Sequence, residues 1–415
     1  MIRDFTVPSR RKIKIGAIIA EFNPFHNGHA YIIDEAFRKT DCTHVLIIQS
    51  GNFTQRAEPA IIDKYTRAVC AVECGAAAVL EIPTAFATGN AEVFAKAGVQ
   101  IAASFPFVSH LIFGAEETNL GLLKAIAYVQ TANKIDFDKY IKQHIKQGIS
   151  FENARIEVVK KLLPEIPSEI IASVMRGSNN ILAIEYLKEL NRLKSPIVPV
   201  PIMRVGGEHN DTALKNGFTS ATSLRVALND AVHFNNINIT NFIPPETVPH
   251  TLKALASKPD LDLFGAIALF NTKTNDELAK IYNVNEELIN LIENVKPTNF
   301  EDFKNNIPTK RFSVSRVARI ALHSTLSITK TDIELLYKNN SLPYSNLLCI
   351  DESEDELMAI LCANSITPVI VRGNKNAPTK NTYYKRLKEI DEKADRLYET
   401  VCNRAQKNKP VFWRA

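Results

Sequence analysis

At 415 residues the chain is too long for one ordinary core, and 45% apolar with 23% charged residues places it among soluble globular proteins. The 50 Lys and Arg exceed the 45 Asp and Glu by five, an excess that permits a polyanionic partner without arguing for one. No apolar run approaches the ~20 residues that span a bilayer, no signal-type segment follows the charged start MIRDFTVPSRRKIK, and the six cysteines form no C-x-x-C pair. A cytoplasmic protein with reduced thiols is expected, without a zinc knuckle.

Residues 13–20 (IKIGAIIA) form a β-branched apolar run, and 29–39 read as helix. Strand-like runs recur at 44–50 (HVLIIQS), 76–82 (AAAVLEI) and 110–114 (HLIFG), with helical patterns at 60–74 and 91–103 between them. This alternation predicts a parallel sheet covered by helices on both faces, because continuous apolar strands belong to sheets buried on both sides. Residues 120–192 are helical in pattern. The Pro-punctuated segment SPIVPVPIM (195–203) reads as an edge strand, and TSATSLRVAL (219–228) as a capped helix start. The Asn- and Pro-rich stretch 231–250 marks a boundary. Beyond it the pattern is helical, apart from a small βαβ-like unit made of NLLCI (346–350), a helix and TPVIVRG (367–373). Two domains are therefore expected, over 1–235 and 245–415.

The stretch EFNPFHNGHA (21–30) stands at the first strand-to-helix turn. Ligands of open parallel sheets bind at the carboxyl ends of the strands, and a helix N-terminus there offers backbone N–H groups to phosphate. Gly28 is expected to let the backbone approach closely and to take a positive φ; Pro24 stiffens the loop. His26 and His29, three apart, can both donate to one phosphoryl group. A lone histidine at a helix start more often caps it. Two with this spacing, straight after a first buried strand, favour phosphate.

FHNGH resembles the H-x-G-H signature of the nucleotidylyltransferase superfamily, and Ser220-Ala221-Thr222-Ser223-Leu224-Arg225 is a looser match to its second signature. With SGNFTQRAEPA (50–60), EIP (81–83), FGAEE (113–117) and SNNILAIEY (178–186) in that order, the chain resembles the tRNA(Met) cytidine acetate ligase family. The resemblance is strong from about 13 to 230 and weaker beyond. It implies a Rossmann-like nucleotidylyltransferase domain, followed by a mainly helical, tRNA-binding C-terminal region. It implies that acetate attacks the α-phosphate of ATP, and that the acetyl group then passes from acetyl-adenylate to N4 of the wobble cytidine of elongator tRNA(Met). His26 and His29 are the implied catalytic pair. The implied ATP contacts are Ile19, Ala20, Glu21, Phe22, Asn23, Pro24, Phe25, His26, Asn27, Gly28, His29, Ala30, Tyr31 and Ile32, then Gly114, Asn179, Arg204, Val205, Ser223 and Arg225. Asn179 competes between a ligand contact and an N-cap role. Ala57 stands where the family pattern suggests glycine, which puts the conformation of that loop in doubt.

No carboxylate or histidine cluster reads as a permanent metal site, so Mg2+ is expected to arrive with ATP. Lys310, Arg311, Arg316 and Arg319 gather in TKRFSVSRVARIALH. Arg316 and Arg319 share a helix face and are the expected tRNA grip, with the basic, aromatic stretch from Lys375 to Arg414 as a second region. Two other functions remain open on sequence: a small-molecule adenylyltransferase and a non-catalytic tRNA-binding protein.

Overall fold

The computed structural model describes residues 13–132, 134–205, 219–229, 239–307, 312–371, 378, 380–403 and 411–413. Four strands, β1 (Ile15–Ala20), β2 (His44–Ser50), β3 (Ala78–Ile82) and β4 (Val108–Ala115), form where the apolar runs predict. Between them lie α1 (Asn27–Lys39), α2 (Lys64–Glu73), α3 (Thr84–Ala87) and α4 (Ala91–Ala103). These strands pair in parallel in the spatial order β4-β1-β2-β3. Ile15, Ala17 and Ile19 of β1 enter one apolar cluster, and Ile18 enters the other with Val45 and Ile47 of β2. Burial on both faces is why these strands read as unbroken apolar runs.

Five helices follow β4: α5 (Leu120–Val129), α6 (Lys134–Lys146), α7 (Phe151–Leu162), α8 (Ser168–Arg176) and α9 (Ser178–Leu193). The next strand, β5 (Val198–Met203), lies at the sheet edge beyond β4. Its Pro199 and Pro201 stand opposite Leu111 and Phe113, on an edge strand that tolerates missing N–H groups. The chain then forms α10 (Ala221–Asn229), α11 (Val248–Leu255), α12 (Leu261–Lys273), α13 (Glu286–Asn294), α14 (Phe300–Asn306), α15 (Val314–Leu326) and α16 (Lys330–Lys338). After these come β6 (Ser345–Asp351), α17 (Asp355–Ala363), β7 (Val369–Ile370), α18 (Thr382–Val401) and β8 (Val411–Trp413).

The second half is not a separate helical body. Its strand β6 joins the main sheet antiparallel to β3, with β7 and β8 parallel to β6 on its far side. The expected break near 235–245 therefore does not divide the sheet. One apolar cluster runs from Leu80 and Phe86 to Tyr384, Leu387 and Leu397 of α18. Buried polar contacts cross the same seam. Lys64 Nζ meets Glu81 Oε1 and Asp395 Oδ2, each at 2.8 Å, with side chains 3%, 1% and 21% exposed. Thr84 N–H donates to Asp391 (2.7 Å), and the Tyr398 hydroxyl donates to the Ala60 carbonyl (2.8 Å).

The strand order locates the site. From β1 the chain steps to β2 and β3, then crosses back over β1 to β4. The switch point lies between β1 and β4, and a crevice at their carboxyl ends is where such sheets bind ligands.

Candidate active site

The loop Glu21–His26 leaves the end of β1 and is held from three sides. Arg67, fully buried, donates to the carbonyls of Glu21, Ile62, Ser50 and Gly51. Asn23 accepts the Ile61 N–H on its side chain (2.9 Å) and an Arg225 N–H on its carbonyl (2.6 Å). Glu21 accepts the Gln55 N–H at 2.6 Å. The loop is thereby tied to the segment after β2 and to α10, although Ile19, Phe22 and Phe25 turn their side chains into the core. Of the expected contact stretch 19–32, those three can offer only backbone to a ligand.

His26 is the N-cap of α1. Its Nδ1 accepts the Gly28 N–H (3.0 Å), and His29 Nδ1 accepts the His26 N–H (3.2 Å), a reciprocal capping box. The two rings stack with centroids 3.8 Å apart, and His29 also packs on Phe22 and Phe25. Burial, then the charges of Arg204 and Arg225, hold the His26 pKa down at about 3. Burial, His26 and Arg204 hold His29 well below its ordinary value. Both rings are therefore neutral. With each Nδ1 accepting, each proton sits on Nε2. Capping and phosphate binding are thus compatible: one nitrogen caps and the other donates.

Two expectations fail here. The first-turn N–H groups are already engaged: Asn27 with the Phe242 carbonyl, Gly28 with His26 Nδ1, and His29 and Ala30 with the His26 carbonyl. The positive helix end is covered, so the donors the site offers are imidazole and guanidinium groups. Gly28 does not take a positive φ. It is needed because an added Cβ would lie 2.8 Å from His26 Cε1.

On the β4 side, Glu116 organises the start of α9. Its carboxylate accepts the Asn179 N–H (3.2 Å), the Asn179 side-chain amide (2.6 Å) and the Asn180 N–H (2.8 Å). Asn179 is not the N-cap, which is Gly177; its side-chain oxygen instead accepts from Arg204 at 3.1 Å. Asn180 Oδ1 accepts the Glu116 and Glu117 N–H groups in return. Arg204 follows β5, and burial lowers its pKa while Glu116 raises it. Val205 next to it is exposed. At Gly114 an added Cβ would meet Arg204 Cγ at 3.5 Å and Ile32 Cδ1 at 3.8 Å, ordinary contacts, so no neighbour in the protein demands glycine there.

On the α10 side, Arg225 Nη2 donates to Thr222 Oγ1 (3.1 Å) while its Nη1 holds Asn23. Ser223, expected to face phosphate, is fully buried and bonds to Ser220 at 2.8 Å. Thr222 carries the outward hydroxyl instead. Sequence reasoning quoted Thr222 among the hydroxyls of that motif but singled out Ser223, and it passed over Glu116 and Arg67.

The expected tRNA face also changes. Lys310 and Arg311 lie outside the described residues. Arg319 is only 8% exposed and donates to the Thr88 carbonyl (3.0 Å). Arg316 donates to the Asn283 carbonyl (2.7 Å) and covers the Phe312 ring. The shared face of these two arginines is the packed face of α15, so it is not an open phosphate track. Ala57 has φ 59°, the left-handed region that favours glycine, so this chain keeps the glycine-like backbone at the strain of one methyl group. Among the described residues no group of three or more His, Cys, Asp or Glu converges as a metal site, and no helix is long and apolar enough to cross a membrane. None of the six cysteines forms a disulfide.

A mostly parallel sheet with paired histidines at its switch point, and Arg204 and Arg225 close enough to bias their charge, is the arrangement of a nucleotidyl transferase. The family model described as HIGH Nucleotidyl Transferase matches residues 13–410. A protein of Caldanaerobacter subterraneus named tRNA(Met) cytidine acetate ligase is 33% identical over 86% of this chain and 88% of its own length. One of the same name from Clostridium perfringens is 33% identical over 93% and 95%. The crystal structure of Thermotoga maritima TmcAL in its apo form superposes with a TM-score of 0.87 at 26% identity, over 97% of this chain and all of the other. The same protein bound with alpha-thio ATP gives 0.85 at 25% identity, over the same shares of the two chains. The chain belongs to the tRNA(Met) cytidine acetate ligase family of HIGH nucleotidyl transferases.

Proposed function

We propose that the chain activates acetate with ATP and transfers the acetyl group to N4 of the wobble cytidine of elongator tRNA(Met). The observation that carries the reading is the pair of neutral, stacked imidazoles whose Nε2 protons stand at the switch point beside Arg204 and Arg225. A carboxylate oxygen of acetate bonds to the α-phosphorus, the bond from that phosphorus to the bridging oxygen breaks, and pyrophosphate leaves with the electron pair. His26 and His29 donate to the α-phosphate oxygens on which charge accumulates, the kind of preorganised stabilisation that usually dominates such steps. The cytidine amine then attacks the acetyl carbonyl, and AMP departs. Mg2+ would be held mainly by the ATP phosphates, and would there offset their charge. Gly114 leaves bare backbone for the adenosine, with Asn179 and Arg204 oriented beside it by Glu116.

The deciding assay supplies ATP, acetate and bulk tRNA, and measures pyrophosphate release and tRNA nucleosides by mass spectrometry. N4-acetylcytidine is the expected product. Pyrophosphate release only with a phosphorylated small molecule would make the protein an adenylyltransferase, a reading weakened by coverage of nearly whole-length ligase relatives. ATP binding without turnover would make it a non-catalytic binder.

Gly114→Val tests the adenosine side. ATP KM should rise about tenfold or more, because the added side chain enters the space left for the ligand, while its Cβ makes only ordinary contacts with Arg204 and Ile32.

For tRNA in the cytoplasm, the exposed pair Lys393 and Arg396 on α18 replaces Arg316 and Arg319 as the favoured grip. They flank Asp395, which bonds Asn52 in the segment after β2 (2.9 Å), so this helix passes beside the site loops. Lys393→Ala/Arg396→Ala should weaken tRNA binding and reduce its salt slope by roughly 0.7–0.9 per lost phosphate contact. Arg316→Ala/Arg319→Ala should instead lower thermal stability and leave the slope unchanged. A slope lost only in the latter pair would restore the sequence-based assignment.

A further inference from the structure

The hairpin 52–60, which follows β2, is tied to the loop that carries His26. Ala60 N–H donates to the Asn52 carbonyl (2.8 Å) and Thr54 N–H to the Glu58 carbonyl (3.2 Å), and Ala57 N–H closes the tip on the Thr54 carbonyl (2.8 Å). Three contacts fix that tip. Gln55 N–H donates to the Glu21 carboxylate, Arg56 donates to Thr222 (3.2 Å), and Arg319 of α15 donates to the Gln55 carbonyl (3.5 Å). Three groups at the tip lack what burial ordinarily requires. Thr54 is fully buried, yet its hydroxyl has no hydrogen-bond partner among the described residues. The buried Nε2 of Gln55 has none either. Such orphans are few in folded proteins, and each calls for an explanation. The third group is Arg319, 8% exposed, whose hydrogen bonds among the described residues go to the carbonyls of Thr88 and Gln55 and not to a carboxylate. Burial brings its pKa down to about 10, which leaves it charged at neutral pH. Buried charges are ordinarily paired. The carboxylates nearby have other partners: Glu21 takes the Gln55 N–H and lies within reach of the charges of Arg67 and Arg225, and Glu58 faces Lys304 at 3.7 Å.

One small anion meets all three needs. A carboxylate accepts at both oxygens, so it can take a hydroxyl and an amide N–H together while supplying the missing negative charge. The position fits as well. Gly114, Asn179 and Arg204 stand on the β4 side of the crevice and the histidines on the loop after β1, and β2 is the next strand on the other side of β1. We propose that the tip of this hairpin is the acetate seat, with Thr54 and Gln55 as the residues that bind the carboxylate and Arg319 behind them as its counter-charge. The assignment rests on the acetate-activating reading above. An acid seated there comes to the α-phosphate across β1, from the side away from the adenosine.

The test uses full-length Gln55→Leu, Gln55→Glu and Thr54→Val, and measures KM for acetate and KM for ATP separately in pyrophosphate release. In Gln55→Leu, acetate KM should rise roughly 10- to 100-fold, the scale of one lost hydrogen bond to a charged group. ATP KM should change less than about twofold, on the same reasoning that the nucleotide makes no bond to this amide. Gln55→Glu should raise acetate KM further, because it sets a like charge against the acid. Thr54→Val, close to threonine in shape, serves if Gln55→Leu folds poorly, and should raise acetate KM in the same direction. An unchanged acetate KM in either folded variant, Gln55→Leu or Thr54→Val, overturns the proposal. So does a rise in ATP KM with acetate unaffected, which would make the hairpin part of the nucleotide seat. If the wild type proves to activate a different small carboxylic acid, the acetate reading falls, while the same KM split, measured with that acid, still decides the seat.

Discussion

In His29→Ala, acetate-dependent pyrophosphate release should fall roughly 100-fold or more, the scale seen when one donor to developing charge is removed. His26→Ala should match it and also lose stability by about 1 kcal/mol, because the His26 side chain is the N-cap that accepts a first-turn N–H, whereas His29→Ala gives up only the reciprocal bond from the His26 N–H. The pH dependence follows from the depressed pKa values. Both rings are held below their ordinary value of 6.5, so the rate of adenylate formation should show no inflection near 6.5 from either ring. The sign for stability is fixed as well. Folded-state values below the unfolded value of 6.5 mean that the unfolded chain binds more protons as pH falls past 6.5, so the ligand-free protein loses stability in acid. Near-normal pyrophosphate release from a folded His29→Ala protein would remove the catalytic assignment.

Lys64→Met should be the most damaging single change away from the site, costing about 3–5 kcal/mol by removing the cation from a buried pair of carboxylates. Burial alone would lower the Lys64 pKa, but Glu81 and Asp395 outweigh it and hold the ammonium charged. Burial pushes Glu81 up, against the pull of Lys64. Without Lys64, Glu81 keeps among the described residues only the Asn346 amide as a hydrogen-bond donor, and has a reason to take up a proton. A carboxyl whose folded pKa is raised adds stability at low pH and loses it as pH rises through that value. The deficit of Lys64→Met, measured by denaturant unfolding, should therefore be largest at neutral pH and smaller near pH 5. An equal deficit at both values would mean that Asp395, 21% exposed, is solvated well enough to relieve the charge.

The first half was legible because its signals are local. Continuous apolar strands, their spacing, and two histidines three apart each lie within one short window. What stayed hidden depends on contacts between distant segments. Nothing in NLLCI announces that it pairs with AVLEI about 270 residues earlier, in the opposite direction. The spacing of Arg316 and Arg319 correctly puts them on one helix face, but the acceptors that make it an inner face, Thr88 and Asn283, lie elsewhere in the chain. At 220–225 the hydroxyls and the arginine were visible. Which hydroxyl turns outward depended on the phase of α10, and the structure chose Thr222 over Ser223. Ala57 is the opposite case: the departure from glycine was noticed in sequence, and the backbone there takes the glycine-like shape regardless.

The antiparallel seam between β3 and β6 has a consequence for how the chain is made. β3 ends at Ile82 and its partner β6 ends at Asp351. At 5–20 residues per second, a ribosome needs roughly 15–50 s to travel between them. Throughout that interval the nucleotide-binding strands can pair with one another, yet the outer edge of β3 (AVLEI) remains a bare row of N–H and C=O groups on an apolar strand. Nascent chains of this protein should therefore depend on chaperone cover more than their final stability suggests, and fragments that stop before residue 345 should be recovered as aggregates rather than as a smaller, working ATP-binding unit.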